Sequence, residues 1–233
     1  MAVALVTGAN KGIGKETARQ LAERGMEVLL GSRDPERGER AARELGVTPV
    51  RLDVTDPGDV AALAKDLGRL DVLVNNAGAI AVAPAPSLTS DQLRSTYEVN
   101  VFGVVAVTNA LLPLLRRSAA PRIVNVSSTT ASLTLTSGGT DFGGDAHLRM
   151  AYSSSKAALN MLTVQYAQAF AQDPELAHIK VNSATPGYVA TDINGHRGVR
   201  TVEEGARAII DLATLGADGP TGGFFNDKGP VPW

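Results

Sequence analysis

The stretch Val3-Ala4-Leu5-Val6-Thr7-Gly8-Ala9-Asn10-Lys11-Gly12-Ile13-Gly14, followed by the helical pattern of Lys15–Glu23, decides how this chain is read. An apolar run suited to a buried strand breaks into a glycine loop, and helical spacing then sets in. A glycine at a strand exit permits a tight turn, glycines within the loop let the backbone approach a pyrophosphate, and a last glycine lets helix and strand pack closely. The helix that follows offers free N–H groups and the positive end of its dipole to an anion. The spacing is Gly-x-x-x-Gly-x-Gly rather than Gly-x-Gly-x-x-Gly. By itself such a loop suits nucleotide binding or a merely structural strand-to-helix turn.

Outward from this unit the alternation repeats. Glu27–Leu30, Thr48–Leu52, Asp71–Val74, Arg122–Val126, Lys180–Ala184 and Gly223–Phe225 read as short strands. Asp34-Pro35-Glu36 and Asp56-Pro57-Gly58-Asp59 each supply an N-cap, a proline at the first helical position and an acidic first turn, opening helices that run to about Leu45 and Leu67. Thr89-Ser90-Asp91-Gln92 has capping-box spacing and starts a long helix ending near Arg117, which Pro113 is expected to kink or end. Apolar residues return at helical spacing from Arg149 to Ala171, and Thr201-Val202-Glu203-Glu204 opens a helix through Leu212. Thr129–Ala146, rich in Thr, Ser and Gly, has no clear period and reads as a loop, as does Pro186–Gly198. The pattern predicts an α/β fold: one domain over residues 1–233, a doubly wound (Rossmann) parallel sheet of about seven strands with helices on both faces, and ligands at the strands' C-terminal ends.

Composition narrows the partners. With 233 residues, 44% hydrophobic and 20% charged, the chain suits one domain with an extensive core. Its 22 Lys and Arg against 24 Asp and Glu give a net charge of -2 and no basic excess to meet a nucleic acid. There is no cysteine for a disulfide or thiolate zinc site, and three histidines are few for a metal centre, so no metal is expected. The first strand begins almost at Met1, which leaves no room for a secretory leader. No uninterrupted apolar stretch approaches the ~20 residues of a spanning helix. A cytoplasmic chain with no membrane partner is the expectation.

The strand exits gather the chemistry. Gly8–Gly14, Ser32-Arg33, Asp53, Asn75–Gly78, Ser127-Ser128 and Pro186–Thr191 all fall at one end of the expected sheet. On the helix after the Thr129–Ala146 segment, Tyr152 and Lys156 stand four residues apart, one turn along a single face. A free phenol titrates near ~10, and a neighbouring ammonium favours phenolate. Such a tyrosine can pass the proton of a carbonyl/alcohol pair while a nicotinamide carries the hydride. Alone, the pair is equally what an ordinary surface helix shows.

Taken together, Thr7–Gly14, Asp53, Asn75-Asn76-Ala77-Gly78, Asn100, Ser127-Ser128, Tyr152-Ser153-Ser154-Ser155-Lys156 and Pro186-Gly187 stand in an order that resembles the classical short-chain dehydrogenase/reductase superfamily across nearly the whole chain. Within it, Asn10-Lys11, Ser32-Arg33-Asp34 and the ending on Trp233 are similar to the carbonyl-reductase-like branch. The resemblance implies that Tyr152 is the general acid/base and that Lys156 lowers its pKa and bonds the nicotinamide ribose. It implies that Asn100 holds a water linking the lysine to solvent and that Ser128, rather than Ser127, bonds the substrate oxygen. An asparagine inside a helix otherwise serves to bend it or to bond backbone groups. Cofactor contacts are implied for Gly8, Asn10, Lys11, Gly12, Ile13, Gly14, Arg33, Asp53, Val54, Asn76, Ala77, Gly78, Pro186, Gly187, Val189 and Thr191, besides Tyr152 and Lys156. The Asn75–Gly78 run reads as scaffolding on the adenosine side, and Asp53 as an adenine contact or a plain turn residue.

An acid at the second strand's exit accepts from the ribose hydroxyls of NAD, whereas an arginine there favours a 2′-phosphate. Ser32, Arg33 and Lys11 point to NADP, and Asp34, ahead of Pro35, reads as an N-cap. The implied activity is NADPH-dependent reduction of a small-molecule ketone or aldehyde. The alternatives are an alcohol or steroid dehydrogenase or an acyl-thioester ketoreductase on the same fold, or an NADP-binding scaffold, against which the intact Tyr152–Lys156 pair argues. Monomer and homo-oligomer both remain open.

The departure from the family pattern is Thr129–Ala146, which places Tyr152 24 positions after Ser128. This insertion is expected to shape the substrate pocket or to cover helix surface that other members use for oligomerisation. Phe142, His147 and Arg149 are candidates to line the pocket, with His147 and Arg149 expected instead in solvent. The short segment Asp192–Arg200 offers little material for a lid, which implies an open pocket tolerant of varied carbonyl compounds.

Overall fold

In the computed structural model, which describes residues 1–140, 142 and 145–233, strand β1 (Val3–Val6) lies at the middle of the sheet. It pairs in parallel with β2 (Glu27–Ser32) on one side and β4 (Val72–Asn75) on the other. Beyond β2 lies β3 (Thr48–Arg51), and beyond β4 come β5 (Arg122–Val126), β6 (Lys180–Ala184) and β7 (Phe224–Asn226), all parallel. The order is β3-β2-β1-β4-β5-β6-β7-β8, as a doubly wound sheet requires. The two-residue β8 (Gly229–Pro230), antiparallel to β7, is an addition to the expected seven. Its Gly-Pro pair reads as a breaker in sequence, and at a sheet edge a proline's missing N–H costs no ladder bond.

Alternation along the strands builds two cores. Ala4 and Val6 face one side with Val28, Leu30, Val74 and Val124, covered by α1 (Gly12–Glu23), α2 (Pro35–Leu45) and α8 (Val202–Ala213). Val3 and Leu5 face the other with Leu29, Leu73 and Ile123, covered by α3 (Pro57–Asp66), α5 (Gly103–Arg116) and α7 (Met150–Gln172). Each fully buried leucine stabilises this arrangement by roughly 1.5–3 kcal/mol. The cap signals hold: Asp34 accepts from the Arg37 amide at 3.1 Å, Asp56 from the Gly58 amide at 2.7 Å, and Thr89 and Thr201 close capping boxes with Gln92 and Glu204.

Two expectations are corrected. The long helix is α4 (Ser90–Tyr97), a π-turn over Glu98–Phe102, and α5, and Pro113 lies inside α5 without ending it. Asn109, whose carbonyl Pro113 leaves unpaired, is exposed to water. The continuous run Ser90–Arg116, 27 residues with a mean hydropathy of 1.6 in its most apolar window, has the length and composition of a spanning helix, although polar residues such as Asn100, Thr108 and Asn109 interrupt its apolar stretches. Half of that window is buried, with Val107, Leu111 and Leu115 packed on the sheet as core residues. Thr129–Ala146, read as a loop, carries a 3-10 turn at Thr129–Ala131 and the short α6 (Leu133–Ser137), and a further 3-10 turn spans Ala146–Leu148. Ser132 caps α6 by accepting from the Leu135 amide at 3.1 Å, but five residues are too few to show a period.

A buried carboxylate ties the N-terminal ends of β1 and β4 together. Asp71 accepts from the Val3 amide at 2.8 Å, the Ser118 hydroxyl at 2.6 Å and Arg69 Nε at 2.8 Å. Burial alone would raise this carboxyl, but the hydrogen bonds from Arg69, Ser118 and Val3 hold it below its ordinary value. A depressed carboxyl contributes stability that is present above the unfolded pKa and lost as pH falls through the folded one. Asp71→Ala is therefore expected to destabilise the protein by about 3 kcal/mol at neutral pH, the scale of breaking a buried hydrogen-bonded charge. Part of that difference should vanish in acid, and urea unfolding across the acid range measures both.

Candidate active site

The strand order reverses between β1 and β4, and the crevice at their C-terminal ends is the natural ligand site of such a sheet. A cleft of about 600 Å³ opens there. Gly8, at φ 62°, sits so close to the next strand's exit that a Cβ would lie 2.9 Å from Ala77 Cα. At Gly14 a Cβ would fall 2.3 Å from Asn76 Nδ2 and 2.8 Å from the Gly8 carbonyl oxygen. No side chain of the described residues caps α1 and its first turn holds no acid, so Gly12, Ile13 and Gly14 line the cleft with amides left for an anion. The Asn75–Gly78 run buttresses this loop. Asn76 Nδ2 donates to the Thr7 and Gly8 carbonyls at 2.8 and 3.1 Å, and the Asn76 and Ala77 amides donate to Thr7 Oγ1 at 3.0 and 2.9 Å.

At the other end of the cleft stand Ser128, Tyr152 and Lys156. A buried polar ladder holds their helix against the sheet: Asn75 Nδ2 donates to Asn125 Oδ1 at 2.9 Å, Asn125 Nδ2 to Thr163 Oγ1 at 2.8 Å, and Thr163 meets the Ser183 hydroxyl at 2.8 Å. Thr163 is two turns beyond Lys156 on α7, so the ladder fixes which face of that helix looks into the cleft. Lys156 Nζ donates to the Val126 carbonyl at 2.8 Å and lies 5.8 Å from the Tyr152 ring centroid. Burial lowers the lysine to about 8. Burial also raises the Tyr152 phenol, and the adjacent Ser128 hydroxyl and the Arg149 charge pull it back only in part. Lys156 is not among the influences on the phenol in this structure: its ammonium is turned to the Val126 carbonyl, and burial outweighs the pull of Ser128 and Arg149.

The profile of the short chain dehydrogenase family matches residues 2–200. The chain belongs to the short-chain dehydrogenases. Short-chain dehydrogenase/reductase 1 of Saponaria officinalis is 36% identical to it, with 99% of this chain and 95% of that protein covered. Carbonyl reductase (NADPH) 1 of Rattus norvegicus is 33% identical, over 99% of this chain and 98% of that one. The solved structure of salutaridine reductase from Papaver somniferum superposes with a TM-score of 0.81 at 30% identity, covering 97% of this chain and 100% of that one.

As a short-chain dehydrogenase the protein is an oxidoreductase of a family that binds a nicotinamide cofactor, and its residues fit one. The loop at Gly8 and Gly14, packed too closely on Ala77 and Asn76 to admit a side chain, and the uncapped helix suit a pyrophosphate. Of the catalytic and cofactor-contact residues that the family resemblance implicates, all but Asn100 line the cleft. Asn100 is fully buried in the π-turn, where its Oδ1 accepts from the Ala79 amide at 2.8 Å and its Nδ2 donates to the Ala79 carbonyl and the Ser155 hydroxyl at 2.9 Å each. Its side chain ties the segment after Gly78 to α7. Asp53 is both turn and lining residue: the Thr55 amide and hydroxyl donate to it at 2.9 and 2.7 Å, and the amide bond leads in holding its carboxyl below the ordinary value. Asp34 caps α2 and stays out of the cleft lining.

The substrate end holds what sequence missed. Ile80, Val82, Leu148, Tyr188 and Ile193 form its apolar lining, with Asp145 and Arg197 among them. Arg149, expected in solvent, is 8% exposed and lines the cleft, held there by Asp145 and lying 5.6 Å from the Tyr188 ring centroid. His147 is exposed as expected, and neither it nor Phe142 is part of the lining. The Asp192–Asn194 turn reaches over the cleft and Lys11 pairs with Asp192 at 2.7 Å, so the short segment is less open than its length suggests.

Proposed function

We propose that this enzyme reduces a ketone or aldehyde to an alcohol with NADPH, Tyr152 donating the proton. One observation carries the reading: a glycine cradle and the Tyr152–Lys156 pair with Ser128 share a single cleft. The phenol, raised by burial, stays protonated at neutral pH and is an acid ready to give its proton to a carbonyl oxygen. Ser128 stands beside it, so that oxygen meets a second O–H group. A bound nicotinamide cofactor supplies the hydride. Lys156, in the same cleft, would bond the cofactor's ribose with its ammonium, and Arg33 and Lys11 line the glycine-loop end, where an arginine fork suits a 2′-phosphate. The NADPH in the name of the rat relative supports the same cofactor.

Consumption of NADPH with a panel of ketones and aldehydes, followed by chiral analysis of the alcohols, tests the reading; no turnover across the panel would refute it. Reduction is expected to decline as pH rises past about 8, where Lys156 loses its proton. Tyr152, pushed up by burial, still holds its own proton there. A pH profile of kcat/KM checks this, and a rate that rises through the same range would contradict it.

A further inference from the structure

We infer that Arg149 makes the enzyme select carbonyl substrates that carry a carboxylate, or an anion of similar shape, close to the reacting carbon. The inference rests on the reductase reading above and names the substrate class for it. Arg149 stands one turn before Tyr152, at the start of α7, and its charge is felt at the phenol. A guanidinium is seldom buried, because leaving water is costly unless an anion meets it. Asp145 meets it here, but incompletely. Arg197 approaches the same carboxylate at 3.7 Å, so two guanidiniums share one acid. The other acid at this end, Asp192, is occupied by Lys11 at 2.7 Å and His196 at 2.9 Å. Among the described residues Arg149 and Arg197 thus have one carboxylate between them, an excess of one positive charge over this pair, set beside the apolar lining of Ile80, Val82, Leu148 and Ile193. The Tyr188 ring beside Arg149 limits where the guanidinium can swing. Its planar fork matches a carboxylate in two parallel hydrogen bonds, and the surroundings strengthen them.

Phenylglyoxylate and its methyl ester share a carbonyl and differ in the charge, so the acid-to-ester ratio of kcat/KM isolates the effect once variants are compared with the wild type. Arg149→Met is expected to lower that ratio by about 10-fold or more, the scale of a charged hydrogen bond. Arg149→Lys should restore part of it. Asp145→Asn, which removes the competing carboxylate, should move the ratio upward. A role in folding alone would lower both substrates together in both variants, and that result, or an unchanged ratio, would overturn the inference. Calorimetric Kd values for the acid and the ester on the same proteins give a readout independent of turnover. If neither compound is reduced, the reductase reading stands or falls with the wider panel of ketones and aldehydes, and weaker binding of the acid alone in Arg149→Met still decides for the anion site.

Discussion

Tyr152→Phe is expected to lower kcat for carbonyl reduction by about 10³-fold, within the span a positioned general acid supplies, while leaving the affinity for NADPH within a small factor of the wild type. The change removes one oxygen and keeps the ring, so the packing of α7 on the sheet is retained. Lys156 donates to the Val126 carbonyl and not to the phenol, so its position does not depend on the lost hydroxyl. The glycine cradle and the uncapped start of α1 lie at the far end of the same cleft and are untouched. What disappears is a proton that burial holds on the phenol at neutral pH, an interaction made only as the carbonyl oxygen gains charge. A loss confined to that moment lowers kcat and kcat/KM together and leaves KM nearly unchanged. Steady-state kinetics and a fluorescence titration with NADPH measure the two halves. Activity within a few-fold of the wild type would mean that another group gives the proton.

The elements legible in the sequence were those whose signals are local and long enough to repeat. The alternation of strand and helix, the cap residues Asp34, Asp56, Thr89 and Thr201, and the glycine loop each state their structure within a few neighbours. Short elements do not: α6 has five residues and β8 two, fewer than a period needs. The Tyr152–Lys156 spacing predicted that both side chains look the same way. It did not carry their burial or the carbonyl the ammonium faces, and these set the sign of the phenol's shift. Arg149 is the extreme case. Its neighbours in sequence are ordinary, and its burial depends on Tyr188 and, through Asp145, on Arg197, residues that only the folded chain brings to one end of the cleft.

Arg33→Ala is expected to lower kcat/KM with NADPH by roughly 10- to 100-fold, the range of a charged hydrogen bond worth about 1.5–3 kcal/mol, and to change the value with NADH little. Arg33 follows the buried Ser32 at the C-terminal end of β2, is exposed, and lines the cleft. Asp34 is engaged with the Arg37 amide and stays out of the cleft lining, and Asp53, which lines it, accepts from the Thr55 amide and hydroxyl on one oxygen. Lys11, the other cation near the loop, is bound to Asp192 in an exposed pair, and exposed pairs are weak enough for a phosphate to displace. Arg33 is therefore expected to be the principal source of cofactor discrimination and Lys11 an auxiliary one. Rates with both cofactors at one fixed carbonyl concentration separate the cases. An equal loss with NADPH and NADH would assign Arg33 to a part the two cofactors share, and a wild-type preference for NADH would remove the phosphate from its role altogether.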